Sequence, residues 1–370
     1  MNIHVVIMAG GIGSRFWPMS TPELPKQFVD VMGRGQSMLQ ETAERYSGVC
    51  PRENLWVVTG RKYIDLVRQQ LPDLPESNII AEPCARSTAP CIAYACWKIM
   101  ARNPDAQLVV APSDAYVDDP EKYRSDIRQA LAFASQGERI VTIGISPTRP
   151  ETGYGYIAEG EAVGPDGASV SRDSAFAAMD GLPVPAECKV RKVSSFREKP
   201  DLETAKQYLE AGNYLWNAGI FVWSAQTIVR SIRTYAPDLA QKMDAMAPSF
   251  YTAAEAETVG GIFPTCENIS IDYAVMEKAD YIYTLPASFE WSDVGTWGSL
   301  RTLLARDENG NAVIGSNIHL YNCSGCIVHA PQAKSLVLEG LTDSIVVERE
   351  GRLLICRLSQ EQKIKDFHKD

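Results

Sequence analysis

The chain has 370 residues, enough to bury a large core and to form one large domain with a smaller one. Apolar residues make up 45% and charged residues 22%, as is ordinary for a soluble globular protein. The net charge of −10 argues against a nucleic-acid partner, because proteins that bind the phosphate backbone are usually basic. It does not exclude a nucleotide, which needs only a few local cations.

Apolar runs and cysteines together predict a cytoplasmic protein. No uninterrupted apolar run approaches the roughly 20 residues that span a bilayer, so we expect no membrane partner. The N-terminus enters a strand-like run without the basic segment or cleavage site of a secretory signal. The nine cysteines are scattered without a disulfide framework, which favours reduced thiols.

An apolar run at residues 3–8 leads into a glycine-rich loop at residues 9–15. A run this short, ended by glycines, predicts a buried parallel strand followed by a loop. Glycines let backbone N–H groups approach a polyphosphate closely, and Arg15 and Lys26 add positive charge. Phe16 stands where the dinucleotide fingerprint needs its third glycine, and no lysine before Lys26 completes a P-loop. The loop therefore predicts a phosphate site of another kind.

Strand-like and helix-like segments alternate through the first half of the chain. The predicted strands are 55–59, 79–81, 107–111 and 139–145, and the predicted helices are 63–71, one from Ser87 or Thr88 to about 102, and 121–135. Repeated β-α-β units predict an α/β fold with a Rossmann-like, doubly wound and mostly parallel sheet. Ligands of such sheets bind beyond the carboxyl ends of the strands, where both the glycine loop and Asp114 fall.

The second half predicts an insertion, more regular elements and a different kind of tail. Residues 161–187 are rich in Gly, Pro and Ala and are interpreted as an insertion. Strands at 189–196 and 219–223 and helices at 201–211, 225–246 and 297–306 follow. Six short β-type runs between 313 and 356 then predict a small β-rich, β-helix-like domain whose edges suit dimer contacts. We expect domains at 1–306 and 307–370.

The string Gly10-Gly-Ile-Gly-Ser-Arg-Phe-Trp-Pro-Met-Ser20, with Pro25-Lys-Gln-Phe28, resembles the first loop of the sugar-1-phosphate nucleotidyltransferases. The Lys-Gln-Phe ending is most similar to the mannose-1-phosphate guanylyltransferase branch. The resemblance covers residues 1–305 through seven segments in the family's order. It implies a Mg²⁺-dependent enzyme, expected as a homodimer, that joins GTP and mannose 1-phosphate into GDP-mannose and pyrophosphate.

This chemistry needs positioned charges rather than a general base, because the attacking phosphate oxygen is already anionic. Carboxylates for Mg²⁺ and cations for the phosphates are the expected site residues. Asp114, in Pro112-Ser-Asp, and Asp293, in Trp291-Ser-Asp-Val-Gly, match the family's two metal segments, although Asp114 alone would suit a turn. Relatives commonly place His after the first aspartate, whereas this chain has Ala115, which puts any role of that histidine in doubt.

The resemblance implies roles for further residues. The expected nucleotide ligands are Gly10, Gly11, Gly13, Ser14, Glu82, Arg86 and Ser113; the sugar ligands are Gly153, Glu198, Asn217 and Asp272; the catalytic cations are Arg15, Lys26 and Lys199. Plainer readings exist: a hairpin turn at Gly153, an exposed Glu198–Lys199 pair, a satisfied buried Asn217, or a helix cap at Asp272.

Other functions stay open on the sequence. The same chemistry could act on another hexose or heptose 1-phosphate, and a non-catalytic nucleotide-sugar sensor would keep the phosphate loop. An oxidoreductase is disfavoured by the missing fingerprint. His319, Cys323, Cys326 and His329 have the spacing of a zinc site, but strand alternation explains them as well. The chain is too short for the isomerase domain fused to some relatives, so we expect no isomerase activity.

Overall fold

The computed structural model describes residues 2–164 and 189–367. Residues 165–187 of the predicted insertion lie outside this range. The chain divides into two compact units. The large unit comprises Met1–Gly10, Arg45–Pro112 and Val117–Trp291, and the small unit comprises Gly11–Glu44, Ser113–Tyr116 and Ser292–Asp370. The expected domain boundary at residue 306 stays a prediction.

Most predicted elements are present, but the helix expected at 225–246 is divided at Ala236, where Pro237 begins a second helix. The sequence patterns did not predict the helices Met38–Arg45 and Glu255–Ile262 or the strands Tyr156–Ala162 and Ile282–Pro286. The strands are β1 (Ile3–Ala9), β2 (Leu55–Gly60), β3 (Ile79–Glu82), β4 (Gln107–Pro112), β5 (Tyr116–Val117), β6 (Ile140–Ile145), β7 (Tyr156–Ala162), β8 (Arg191–Arg197), β9 (Tyr214–Ser224), β10 (Ile282–Pro286), β11 (Trp291–Ser292), β12 (Ala312–Ile314), β13 (Ile318–Tyr321), β14 (Ile327–His329), β15 (Leu336–Glu339), β16 (Ser344–Arg349) and β17 (Arg352–Arg357). The helices are α1 (Met38–Arg45), α2 (Ile64–Gln70), α3 (Thr88–Met100), α4 (Pro120–Ala134), α5 (Leu202–Ala211), α6 (Ala225–Tyr235), α7 (Pro237–Met246), α8 (Glu255–Ile262), α9 (Trp297–Leu303) and α10 (Ile364–Phe367). None of these helices is both long and apolar enough to cross a bilayer.

The large unit is built on a nine-stranded sheet with the order β3-β2-β1-β4-β9-β6-β10-β8-β7. Strands β3, β2, β1 and β4 are parallel neighbours, as predicted. Strand β9 runs antiparallel to β4, β6 and β7, and β8 runs antiparallel to β7 and β10. The α/β prediction is confirmed, but the sheet is mixed rather than mostly parallel. The sequence could not show this, because a buried apolar run looks the same in either strand direction.

Helix starts in the large unit use different caps. Asp119 caps α4 by accepting from the N–H groups of Glu121 and Lys122, both at 3.1 Å, a contact worth about 1 kcal/mol in general. At α3 the expected hydroxyl cap is not formed by Ser87. Thr88 instead accepts at its hydroxyl from the N–H of Ile271, at 2.9 Å, and so ties the start of α3 to the segment before Asp272.

The small unit contains the predicted β-type runs of the tail, each of which forms a strand. Strands β12, β14 and β16 are parallel neighbours with β17 antiparallel at the end, and β13 pairs in parallel with β15 in a second sheet. Its core combines these strands with the segment after the glycine loop: Phe16, Val31, Trp297, Ile327 and Ile345 are buried together.

Candidate active site

The glycine loop and the Asp114 segment both follow strands that end at one edge of the sheet. Strands β1 and β4 are parallel, and Met8 pairs with Pro112, so their carboxyl ends are adjacent. This confirms the expectation that the two segments begin at the same edge. The residues that follow each strand, 11–44 and 113–116, belong to the small unit.

Three successive carbonyls of the loop, those of residues 11–13, are each held by a donor. The donors are the amide of Gln27 at 3.2 Å, the backbone N–H of Lys26 at 3.0 Å and the hydroxyl of Ser20 at 2.5 Å. In a planar trans peptide the N–H points opposite to the carbonyl, so the N–H groups of residues 12–14 face away from these donors. Outward N–H groups are what a phosphate-binding loop requires.

The backbone of the loop depends on glycine at two positions. Gly11 and Gly13 have φ of +82° and +71°, in the left-handed region that favours glycine. At Gly13 the neighbouring chain is also close, since an added Cβ would lie 2.5 Å from the Cβ of Lys26. Arg15, which follows them, is exposed.

Lys26 links the two aspartates that the sequence assigns to a metal. Its buried ammonium lies 2.8 Å from Oδ2 of Asp114 and donates to the carbonyl oxygens of Asp293 at 2.9 Å and Val294 at 2.8 Å. One cation is thus within reach of both aspartate residues. The preceding Ser113 is buried, and its carbonyl accepts from the hydroxyl of Thr42 at 3.1 Å.

The donor set suits Mg²⁺. Carboxylate oxygens are hard ligands, and Mg²⁺ usually takes one or two of them together with substrate phosphates and water. Within the described residues no group of three or more His, Cys, Asp or Glu side chains could hold a metal ion, so an all-protein cage is not formed there. Asp114, whose side chain is 39% exposed, and Asp293 fit a shared protein–phosphate site.

Three of the four predicted sugar ligands, Glu198, Asn217 and Asp272, lie near one another in the large unit. The amide of Asn217 donates to Oδ1 of Asp272 at 3.0 Å, and its backbone N–H donates to the carbonyl of Gly155 at 2.8 Å. An added Cβ on Gly155 would lie 2.7 Å from Oε2 of Glu198, whose Oε1 pairs with the ammonium of Lys199 at 2.5 Å. Gly155 therefore lets the backbone pass close to the carboxylate of Glu198, where a larger residue would not fit.

Gly153, the glycine assigned to the sugar, is exposed. Its N–H donates to Oε1 of Glu151 at 3.2 Å. The contact is the kind that a turn makes, and the assignment of Gly153 stays a prediction.

The carboxyl of Asp272 is buried beside two charged side chains. Burial, followed by the charge of Glu198, raises its pKa to about 7, and the charge of Lys199 opposes the rise. Burial also acts against the charge on Lys199, but the hydrogen bond and charge of Glu198 raise the pKa of that ammonium overall. Asp272 begins a π-helical turn, Asp272–Met276, a rare geometry that is frequent at functional sites.

Glu82, the candidate reader of the base, ends β3 with a buried carboxyl. Its side-chain Oε1 has no hydrogen-bond partner among the described residues, and burial raises the pKa of the carboxyl to about 7. The guanidinium of Arg86 donates to the carbonyl of Pro264, while its buried Nε lacks a described partner. Buried polar atoms without partners call for an explanation, and a bound ligand is one.

Sequence reasoning missed the residues that hold these groups in place. Gln27 and Ser20 lie within the two loop motifs, but no function was assigned to them from the sequence. Nothing in the sequence around Thr42 indicated a function for that residue. Thr142 was visible only as a polar residue in the apolar run of β6. Its hydroxyl donates to Oδ1 of Asn217 at 2.9 Å.

The histidines and cysteines of the tail make contacts with the protein's own groups. Cys323 and Cys326 donate their thiols to backbone carbonyls, and the exposed His319 pairs with Asn317 at 3.1 Å. His329 is fully buried with its ring against Trp297, and burial lowers its pKa to about 4.

Comparison with known proteins gives consistent matches over nearly the whole chain. A model of the nucleotidyl transferase family matches residues 4–310. A mannose-1-phosphate guanylyltransferase of Salmonella montevideo is 36% identical, over 98% of this chain and 72% of its own length. One from Klebsiella pneumoniae is 34% identical, over 97% and 72%. A crystal structure titled mannose-1-phosphate geranyltransferase, from Thermus thermophilus, has a TM-score of 0.83 at 28% identity and covers 99% of this chain and 98% of its own.

Proposed function

The chain belongs to the nucleotidyl transferase family and, within it, to the mannose-1-phosphate guanylyltransferases, and we propose that it transfers GMP from GTP to mannose 1-phosphate. The products are GDP-mannose and pyrophosphate. The reaction is a direct displacement at the α-phosphorus. Because the attacking oxygen is already an anion, the residues have to bring two polyanions together and to stabilise the leaving pyrophosphate.

The observation that carries this proposal is the position of Lys26. Its ammonium contacts Asp114 and the backbone of Asp293, and its own backbone N–H holds the carbonyl of Ile12 in the glycine loop. One residue thus connects the phosphate loop to both expected metal ligands. A sensor that merely binds nucleotide would not need this carboxylate pair.

The nucleotide is proposed to bind through the loop and two cations. Gly10, Gly11, Gly13 and Ser14 offer backbone groups, Ser113 offers a further polar contact, and Arg15 and Lys26 neutralise the triphosphate. Asp114 and Asp293 would hold Mg²⁺, which supplies charge neutralisation at the phosphates when bound. Glu82 in its ionised form would accept from the guanine N1–H and amino group, with Arg86 beside it in sequence.

The sugar phosphate is proposed to bind through the group around Asn217. Lys199 contacts the phosphate, while Glu198, Asn217 and Asp272 accept from or donate to the hydroxyls and Gly153 allows close approach of the backbone. The hydrogen bond from the amide of Asn217 to Asp272 supports their joint assignment. Which hydroxyl each one reads decides the sugar epimer.

The test is pyrophosphate release with Mg²⁺ across four nucleoside triphosphates and several hexose and heptose 1-phosphates. A maximum at GTP with mannose 1-phosphate is expected. If pyrophosphate release is fastest with another sugar 1-phosphate, the proposed mechanism stands but the sugar substrate is a different one. Folded protein that binds GTP but releases no pyrophosphate from any pair would favour the sensor, and Asp114→Asn and Asp293→Asn variants would then behave like the wild type in nucleotide binding.

Assembly and location are also part of the proposal. Val337, Leu353 and Ile355 of the tail strands are large apolar side chains more than half exposed, at 62%, 52% and 54%. We infer that the tail strands form coils of a short β-helix and that the exposed face of β17, which carries Leu353 and Ile355, joins two copies in a cytoplasmic homodimer. Light scattering of the wild type and of Leu353→Lys would test this, with a monomeric variant as the expected result.

A further inference from the structure

Asn217 lies at an irregular point of β9. Thr142 of β6 pairs with Phe221, but Gly144, two residues on, pairs with Asn217, so β9 bulges between these positions. Gly219 supplies the left-handed backbone of the bulge, with φ of +68°. Bulges beside functional sites redirect a side chain, and here the side chain is the amide of Asn217.

Two donors to Oδ1 fix the orientation of the Asn217 amide. Its Oδ1 accepts from the hydroxyl of Thr142 at 2.9 Å and from the backbone N–H of Gly219 at 3.1 Å. A backbone N–H can only donate, so the atom facing it must be oxygen rather than nitrogen. The NH₂ group therefore points at Oδ1 of Asp272, 3.0 Å away.

We propose that Thr142 is a positioning residue of the sugar-phosphate site, because its hydroxyl holds the Asn217 amide in the orientation that donates to Asp272. This inference rests on the proposed function, since it takes Asn217 and Asp272 as sugar ligands. Without the hydroxyl, Gly219 alone would hold the amide, and the carboxylate of Asp272 would lose part of its alignment toward the sugar.

The charges around Asp272 make this donated hydrogen bond consequential. Glu198 disfavours the ionised carboxyl and Lys199 favours it, in a site where burial already raises the pKa to about 7. A hydrogen bond to the ionised form favours that form. Loss of alignment at Asn217 should therefore weaken sugar binding most at lower pH.

The chain offers a matched control for the substitution. Thr284 of β10 is the register partner of Thr142, and both side chains are fully buried. The hydroxyl of Thr284 has no hydrogen-bond partner among the described residues. Thr142→Val and Thr284→Val thus make the same change on neighbouring strands of one sheet. Only the first removes hydrogen-bond contacts, which the Thr142 hydroxyl makes with Oδ1 of Asn217 at 2.9 Å and with the carbonyl of Ile220 at 3.3 Å.

The experiment compares both variants with the wild type in steady-state kinetics and in binding of GDP-mannose and GDP. Thr142→Val should raise KM for mannose 1-phosphate about tenfold, the size of one lost hydrogen bond, with little change in KM for GTP. It should weaken GDP-mannose binding but not GDP binding and move the acid limb of kcat/KM to higher pH. Thr142→Ser, which retains the hydroxyl, should recover most of the loss, and Thr284→Val should show none of it.

The outcomes separate a failure of the positioning role from a failure of the proposed sugar site. An unchanged KM for mannose 1-phosphate in Thr142→Val, or equal losses for both substrates, would overturn the positioning role. If Asn217→Ala and Asp272→Asn also leave that KM unchanged, the proposed sugar site itself fails. If Thr142→Val does not fold, Thr142→Ala also lacks the hydroxyl, and its KM for mannose 1-phosphate tests the positioning role in the same way.

Discussion

The ammonium of Lys26 lies 2.8 Å from Oδ2 of Asp114, so a cation assigned to phosphate and a carboxylate assigned to metal are direct partners in this structure. Two carbonyl oxygens complete the contacts of the ammonium. If Asp114 binds Mg²⁺ as proposed, the metal would share this carboxylate with Lys26, whose ammonium keeps Asp114 near the loop.

Replacing Lys26 with methionine should separate these two roles. The variant keeps the apolar stem but loses the charge, so kcat should fall about 100-fold or more, as for other lost transition-state contacts. The Mg²⁺ concentration for half-maximal turnover should not rise, because the ammonium that would share Asp114 with the metal is gone. Turnover measured across a Mg²⁺ series gives both quantities.

The control for this variant is Lys122→Met. Lys122 also pairs with an aspartate, Asp119, but its side chain is 57% exposed and it has no assigned role. Exposed pairs contribute little, so kcat should stay near the wild-type value. Full turnover in Lys26→Met would remove Lys26 from the proposed mechanism.

Gly13→Ala should distort the phosphate loop in addition to the usual destabilisation that alanine causes at a left-handed φ. A left-handed φ costs an alanine about 1–2 kcal/mol, and the new Cβ would lie 2.5 Å from Lys26. Gly212→Ala is the matched variant, since Gly212 has φ of +70° with nothing within 4 Å of an added Cβ. Both should lower Tm, while only Gly13→Ala should raise KM for GTP and lower kcat. Similar kinetics for the two variants would contradict a role for this close approach.

Much of the fold was predictable because it depends on local pattern. Strand β1 was expected at 3–8 and spans Ile3–Ala9, and the six tail strands lie where short β-type runs were seen. The direction of β9 was not predictable, because hydrophobic periodicity carries no strand direction.

For the candidate site, the sequence identified individual residues but not the contacts between them. Motifs named Lys26, Asp293, Asn217 and Asp272, but nothing local indicates that Lys26 meets the backbone of a residue 267 positions away. The bond from Thr142 to Asn217 spans 75 positions and depends on a bulge. Such contacts arise from tertiary packing, which a single sequence does not display.

Glu82→Gln should stabilise the protein at alkaline pH while weakening recognition of guanine. Burial raises the pKa of this carboxyl from 4.5 to about 7. Between those values the folded chain keeps a proton that the unfolded chain has released, so stability falls as pH rises. Above pH 7 the buried charge costs on the order of 3 kcal/mol, which the neutral amide avoids.

The measurement is Tm for wild type and Glu82→Gln at pH 5 and pH 8, with kcat/KM for GTP and ATP. The gain in Tm should be clear at pH 8 and small at pH 5, where both side chains are largely neutral. The preference for GTP should fall, because an amide presents one acceptor where the carboxylate presents two. A variant that keeps the full preference would exclude Glu82 from base recognition.

Asp272 should give kcat/KM for mannose 1-phosphate an acid limb near pH 7. The ionised carboxylate accepts from Asn217 and, in the proposed site, from the sugar, and its pKa is raised to about 7 by burial and by Glu198. Protonation below that pH removes the acceptor and raises KM. Because a sugar phosphate itself titrates with a pKa of about 6, the limb in one enzyme alone does not identify the group.

Two variants that each remove one charge identify the titrating group by the direction in which the acid limb shifts. Glu198→Gln removes a like charge from beside Asp272, so the limb should move to lower pH. Lys199→Met removes the opposing cation, so the limb should move to higher pH. Both variants should raise KM, since both residues are assigned to the sugar phosphate, but the opposite displacements are specific to a carboxyl between them. Asp272→Asn should leave only the substrate's own titration. Displacement of the limb in the same direction by both variants would show that a group other than Asp272 controls it.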